Sequence, residues 1–129
     1  MKNDDIEFEI QFYEGILKEK GDFYQVLVAL GDLYTRAGRY QDGLAIDQKL
    51  EGMRPDDPIV LYNLACSYSL VCEVDKASET IKSAIQCGYD DFLYLESDED
   101  LTNLLKTSRF KKYLKKIKAS PPSREKKSV

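Results

Sequence analysis

Apolar residues recur at helical spacing along nearly the whole chain. Leu27, Leu30, Gly31 and Tyr34 fall at i, i+3, i+4 and i+7, one face of a helix. Gly38 follows, suited to the left-handed conformation that ends a helix. A second stripe, Gly43, Leu44, Asp47 and Leu50, stops before Pro55. Asp57-Pro58 then joins an N-cap acceptor to a proline at the first helical position. Leu61, Leu64, Ala65 and Tyr68 form the next stripe, and Ala77, Ile81, Ala84 and Ile85 another that runs to Gly88. These patterns predict helices over 24–37, 40–53, 58–71 and 74–87, with no sheet. Ile6, Ile10, Tyr13, Ile16 and Leu17 predict a further helix over 5–20. Ser97 or Asp98 caps a helix over 98–106 that carries Leu104 and Leu105. Thr107 or Ser108 caps a last one over 108–118, with Phe110, Tyr113, Leu114 and Ile117 on one face.

The pattern repeats at 34 residues. That shift takes Leu27 to Leu61 and Leu95, Leu30 to Leu64, Gly31 to Ala65, Tyr34 to Tyr68, Gly43 to Ala77 and Asp56-Asp57 to Asp90-Asp91. Two units result, 24–57 and 58–91, each a pair of helices joined by a tight turn. Gly31 sits in mid-helix, where glycine costs about 1 kcal/mol against alanine, a cost accepted where another helix must approach closely. Shifted back by 34, Tyr13 aligns with Asp47 and Ile16 with Leu50. The stretch Ile6–Lys20 therefore reads as the second helix of a repeat whose first is absent, placed to cover the end of the stack. After Gly88, Leu95 keeps its place but Glu96-Ser97-Asp98-Glu99-Asp100 interrupts the third unit.

The residues Leu30-Gly31-Asp32-Leu33-Tyr34, Gly38-Arg39-Tyr40 and Pro55 in the first unit, with Leu64-Ala65-Cys66-Ser67-Tyr68, Ala77 and Ala84 in the second, resemble the tetratricopeptide repeat. Cys72 in place of Gly38, Gly43 and Asp47 in place of an alanine and an aromatic, and Tyr89 in place of Pro55 depart from its pattern. The resemblance implies a short right-handed α-solenoid: two full repeats, an N-terminal half repeat and C-terminal capping helices over 98–118, in one domain spanning 1–118. The segment from Gly88 to Leu101, ending in Ser108-Arg109-Phe110, is similar to the module that closes many bacterial arrays of this family. Residues 119–129, with Pro121-Pro122 among serines and lysines, read as a disordered basic tail.

Composition narrows the function. With 129 residues the chain can bury a core without staples, and 33% charged side chains mark a soluble globular class. There is no histidine, which removes the usual general base, the usual zinc ligand and every Ser-His or Cys-His nucleophile pair. No glycine-rich phosphate loop or metal-ligand spacing is present, so neither an enzyme nor a cofactor is expected. Cys66, Cys72 and Cys87 form no CxxC and read as reduced thiols. The N-terminus is acidic with no apolar signal segment, and no apolar run reaches a membrane span, so a cytoplasmic protein is expected.

Charge is unevenly spread. Residues 106–129 hold ten Lys or Arg against Glu125, a net +9, while the other 105 residues hold nine basic and 22 acidic side chains, a net -13. Lys111, Lys112, Lys115, Lys116 and Lys118 alternate with the apolar face of the last helix. Such a helix either adsorbs to an anionic membrane or nucleic acid or docks as a solvated end helix, and the stack offers it an end to dock on. The acidic run 96–100 lacks the spaced ligands of a calcium loop and reads as helix capping.

The expected activity is binding of a protein or peptide segment, with self-association into a homo-oligomer and a basic-tail adaptor for nucleic acid or an anionic membrane as the alternatives. The family resemblance implies that first-helix residues line a concave groove, here Val28, Asp32 and Arg36 from the first unit and Ile59, Tyr62, Asn63, Cys66 and Leu70 from the second. Members that clamp the carboxylate of chaperone tails have an Asn that Asn63 matches, but they place Lys and Asn where this chain has Val28 and Asp32. Leu93 and Ser97 offer no basic group either, so that ligand is not expected. The apolar strip Val28, Ile59, Tyr62 and Leu70, with Arg36, Asn63 and Asp32 beside it, suits an extended segment instead.

Overall fold

The computed structural model describes residues 2–119. Of the expected tail, Ala119 closes the last helix and 120–129 lie outside the described residues. The helices are α1 (Lys2–Glu19), α2 (Tyr24–Arg36), α3 (Tyr40–Met53), α4 (Pro58–Leu70), α5 (Val74–Gln86), α6 (Phe92–Ser97), α7 (Thr102–Leu105) and α8 (Ser108–Ala119), with a 3-10 turn at Glu99–Leu101. Among the described residues there is no strand, and no helix is long and apolar enough to cross a membrane. The chain is of the all-α, helical-repeat class that its periodicity predicts.

Helix starts keep the repeat length. α2, α4 and α6 begin at 24, 58 and 92, and α3, α5 and α8 begin at 40, 74 and 108, each 34 apart. Three hairpins thus follow one another, where the sequence predicts two and a degraded flank. Helix α6 is the first helix of the third hairpin, cut short at Asp98 and continued by the 3-10 turn and α7. The single helix expected over 98–106 is corrected to these two shorter pieces. Asp57 accepts the amides of Ile59 and Val60 to cap α4, and Asp91, 34 residues on, accepts that of Tyr94 to cap α6.

The turns repeat as well. After α2 the Gly38 amide donates to the Thr35 carbonyl and that of Arg39 to Tyr34. After α4 the amides of Cys72 and Glu73 donate likewise to Ser69 and Tyr68, and after α5 those of Gly88 and Tyr89 to Ile85 and Ala84. The pivot is left-handed each time, with φ of 79° at Gly38, 119° at Gly88 and 66° at Cys72. Only Cys72 has a Cβ there, which an L-residue accommodates at a cost of about 1–2 kcal/mol. Cys72→Gly is therefore expected to stabilise the chain by about 1 kcal/mol in urea unfolding, some of the relief being lost to glycine's freedom when unfolded.

Two compact units divide the chain, Met1–Pro55 and Asp56–Val129, with the division inside the acidic linker before Pro58. In the first unit α1 and α3 both pack on α2. Ile10, Leu30, Leu33 and Tyr34 form its buried centre, with Ile6, Tyr13, Leu17 and Ile46 against them. A Cβ on Gly31 would lie 3.2 Å from Ile46 Cγ2, and one on Gly43 3.2 Å from Thr35 Oγ1, so the α2–α3 crossing is close at both glycines. A polar clasp adds to the α1 contact. The Tyr34 hydroxyl donates to Glu14, and the Arg39 guanidinium lies 4.7 Å from the Tyr34 ring while pairing with Asp42 at 2.9 Å and Glu7 at 3.4 Å. Burial, then the Glu14 carboxylate, pushes the Tyr34 phenol well above its ordinary range.

In the second unit the buried cluster runs from Leu61, Ala65, Ala77, Ile81 and Ala84 through Leu95, Leu101 and Leu104 to Phe110 and Leu114. Ser69 ties α7 down: its hydroxyl accepts the Leu104 amide at 3.2 Å, and its carbonyl accepts the Asn103 side-chain amide at 2.8 Å. The buried positions of α8, Phe110 and Leu114, follow Ala77 and Ile81 by 33 residues rather than 34. The last helix keeps its start but turns a different face inward.

Candidate functional site

Each unit presents one face of a first helix to solvent. On α2 this face holds Val28, 42% exposed, with Asp32 and Arg36 one and two turns on. Arg36 and Asp32 approach to 3.4 Å in an exposed i,i+4 pair, worth a few tenths of a kcal/mol. On α4 the corresponding exposed residues are Ile59, at 58%, and Asn63, with Leu70 half-buried near the helix end. Six of the eight residues expected to line a groove are therefore at least partly accessible within their own unit.

Tyr62 and Cys66 are not, and their assignment to an open groove is corrected. Both are buried in the second unit's cluster, 5% and 7% exposed. The cause is the third hairpin, which lays its 3-10 turn on α4. The Tyr62 ring stacks on Tyr89 with centroids 4.4 Å apart and planes 16° from parallel, and Tyr94 stands 6.1 Å away. The Tyr62 hydroxyl donates to Asp98 Oδ2 at 2.7 Å, and Cys66 Sγ lies 3.7 Å from the same oxygen. Asp98 Oδ1 accepts the Asp100 amide at 3.0 Å, so this one carboxylate both caps the 3-10 turn and anchors it to α4. The capping role expected of the acidic run falls on Asp98.

Burial, then the hydrogen bond to Asp98, pushes the Tyr62 phenol far above its ordinary value. Burial pushes Tyr89 up to about 12 from 10.0. A buried neutral phenol favours the folded chain only while the unfolded chain's tyrosines stay neutral. Stability is thus fully present below pH 10, the ordinary phenol value, and falls as pH rises from there through the folded value of about 12. In an alkaline titration, tyrosinate absorbance from Tyr62 and Tyr89 is expected to appear together with loss of helical circular dichroism. Ionisation of all nine tyrosines at their ordinary value with the fold intact would contradict this.

The basic helix is docked. Phe110 and Leu114 of α8 are buried at 1% and 5%, whereas Lys111, Lys112, Lys115, Lys116 and Lys118 face solvent. Lys118 reaches both carboxylate oxygens of Glu96 at 2.9 Å, and Lys82 of α5 lies 4.7 Å from the Tyr113 ring centre. Thr107 is the cap, its hydroxyl accepting the Phe110 amide at 3.3 Å. Among the described residues no cluster of three or more His, Cys, Asp or Glu is arranged to hold a metal ion.

Sequence reasoning missed Asp98 as an anchor and Tyr94 as an exposed aromatic residue, at 56%. Leu93, which follows Ile59 by 34 and which the repeat places toward a ligand, is 83% exposed.

No family model matches the chain. It is 30% identical over 90 residues to a chloroplastic protein of Arabidopsis thaliana, a match that covers 67% of this chain and 27% of that protein. The chain thus spans about a quarter of the length of this curated relative.

Proposed function

We propose that the chain is a tetratricopeptide-type binding module that holds an extended segment of another protein against the first helices of its hairpins. The observation that carries this reading is the exposure of Val28 on α2 and Ile59 on α4, apolar side chains on the helices that the repeat resemblance assigns to the ligand. The 34-residue spacing of helix starts, and of the left-handed turns at Gly38 and Cys72, supports the repeat itself. Asp32 and Arg36 are exposed on the helix that carries Val28, and Asn63 on the helix that carries Ile59, and within each unit they supply polar contacts that fix a backbone. With Val28 and Asp32 where the carboxylate-clamping members carry Lys and Asn, the ligand is an internal apolar segment rather than a chain end. The module has no catalytic step of its own and works in the cytoplasm. The lysines of α8 remain on the outer face of a helix whose apolar stripe is already spent on the core.

The test is a double variant, Val28→Glu with Ile59→Glu. Both positions are exposed, so the melting temperature is expected to hold. Cross-linked capture of partners from the source cell is expected to fall at least about tenfold, the effect of losing two central apolar contacts. Capture of the same partners at the same yield by the variant would sink the groove reading.

A further inference from the structure

The second unit has an open cleft of about 440 Å³ along α8, lined by Glu96, Leu105, Lys111, Leu114, Lys115 and Lys118. Its floor is apolar, with Leu114 buried and Leu105 half-buried. Lys111, Lys115 and Lys118 stand at i, i+4 and i+7 along one edge. Glu96 is the only acid among the described residues of the lining, and Lys118 already holds both its oxygens. Two further ammonium groups therefore overlook an apolar floor, a setting that fits an apolar side chain carried on an acidic segment.

The chain's own tail does not fit. Residues 120–129 continue directly from the helix that carries the ridge, but they hold Arg124, Lys126 and Lys127 against one acid, Glu125, so the lysines repel them. The matching chemistry lies on α6. Asp90 and Asp91 stand exposed at its start, and Leu93 follows, 83% exposed. Leu93 and Glu96 are one helical turn apart and so share a face of α6, and Glu96 already borders the cleft. An acidic, apolar projection and a basic cleft with an apolar floor are thus neighbours on one surface. A contact between identical subunits about a two-fold axis needs that arrangement, because each copy must offer both halves.

We propose that two copies of this chain associate through this surface, α6 of each set against the lysine ridge of the other, with Leu93 entering the cleft and Asp90 and Asp91 facing Lys111 and Lys115. Two short helices, each in one cleft, still make a small interface, so the dimer is transient and much of its attraction is screened by salt.

Sedimentation velocity on the full chain tests this, over protein concentrations from about 10 µM to about 1 mM at low and high salt. The expected result is a concentration-dependent shift from monomer to dimer that weakens as salt rises. Leu93→Asp alone, and Lys111→Glu with Lys115→Glu, are each expected to raise the dissociation constant at least about tenfold at an unchanged melting temperature. Asp90→Lys with Asp91→Asn removes the acids while keeping a side chain able to cap α6. That variant is also expected to be monomeric alone, and to pair again when mixed with the Lys111→Glu, Lys115→Glu chain. A wild-type chain that stays monomeric throughout, or variants that dimerise as tightly as wild type, would overturn the proposal. So would a poly-glutamate peptide that saturates the cleft while the chain remains a monomer, since the occupant would then be a foreign acidic segment.

Discussion

Phe110→Ala is expected to cost about 3–5 kcal/mol of stability, which is a large part of what a domain of this size possesses. Phe110 is 1% exposed and is among the largest fully buried side chains of the chain. It shares the second unit's cluster with Ile81, Leu101, Leu104 and Leu114, and its ring sits 5.7 Å from that of Tyr113. Truncation removes the ring from that cluster and leaves a cavity that α8 cannot close by itself. The helix is held on one side by Phe110 and Leu114, while its other face is a row of solvated lysines with little to contribute. Urea unfolding followed by circular dichroism gives the value, with Lys112→Ala on the outer face as the control within about 0.5 kcal/mol. A loss below about 1 kcal/mol would mean that α8 is a peripheral addition rather than the closing element.

The parts of this fold legible in the sequence are those governed by local rules. Stripes such as Leu27, Leu30, Gly31 and Tyr34 are buried as their spacing predicts, because a helix with one apolar face has one way to bury it. Asp57-Pro58 caps α4 for a reason internal to four residues. Legibility fails where a tertiary neighbour decides the outcome. Tyr62 occupies a position that the repeat leaves open, and nothing in α4 says that a broken third hairpin will cover it. Helix α6 is only six residues long, too short for periodicity to register, although Asp91 repeats the capping aspartate. The candidate site divides the same way. Val28 and Ile59 are exposed because their own helices turn them outward, whereas Tyr62 and Cys66 are buried by residues some 30 positions downstream.

Tyr62 separates the two contributions that fix the third hairpin to α4. Tyr62→Ala is expected to cost about 3–5 kcal/mol, because it removes both a large buried ring stacked on Tyr89 and the hydroxyl that Asp98 accepts. Tyr62→Phe keeps the ring and its stacking and removes only the donor. Its cost is expected to be about 1–3 kcal/mol, the penalty for leaving part of a half-buried carboxylate without its partner. Asp98 keeps the Asp100 amide on its other oxygen, so the 3-10 turn itself survives in the Phe variant. Hydrogen exchange distinguishes the two further. In Tyr62→Phe, faster exchange is expected to be confined to residues 92–105, the segment that the lost bond anchors, with α4 and α5 protected as in wild type. In Tyr62→Ala it spreads through the whole second unit, since Leu61, Ala65 and Ile81 belong to the same cluster. If the Phe variant were as stable as wild type, stacking would hold the hairpin and Asp98 would serve only as a cap. If the Ala variant lost less than about 1 kcal/mol, Tyr62 would have to stand open to solvent and so be available to a ligand, as the repeat pattern alone would place it.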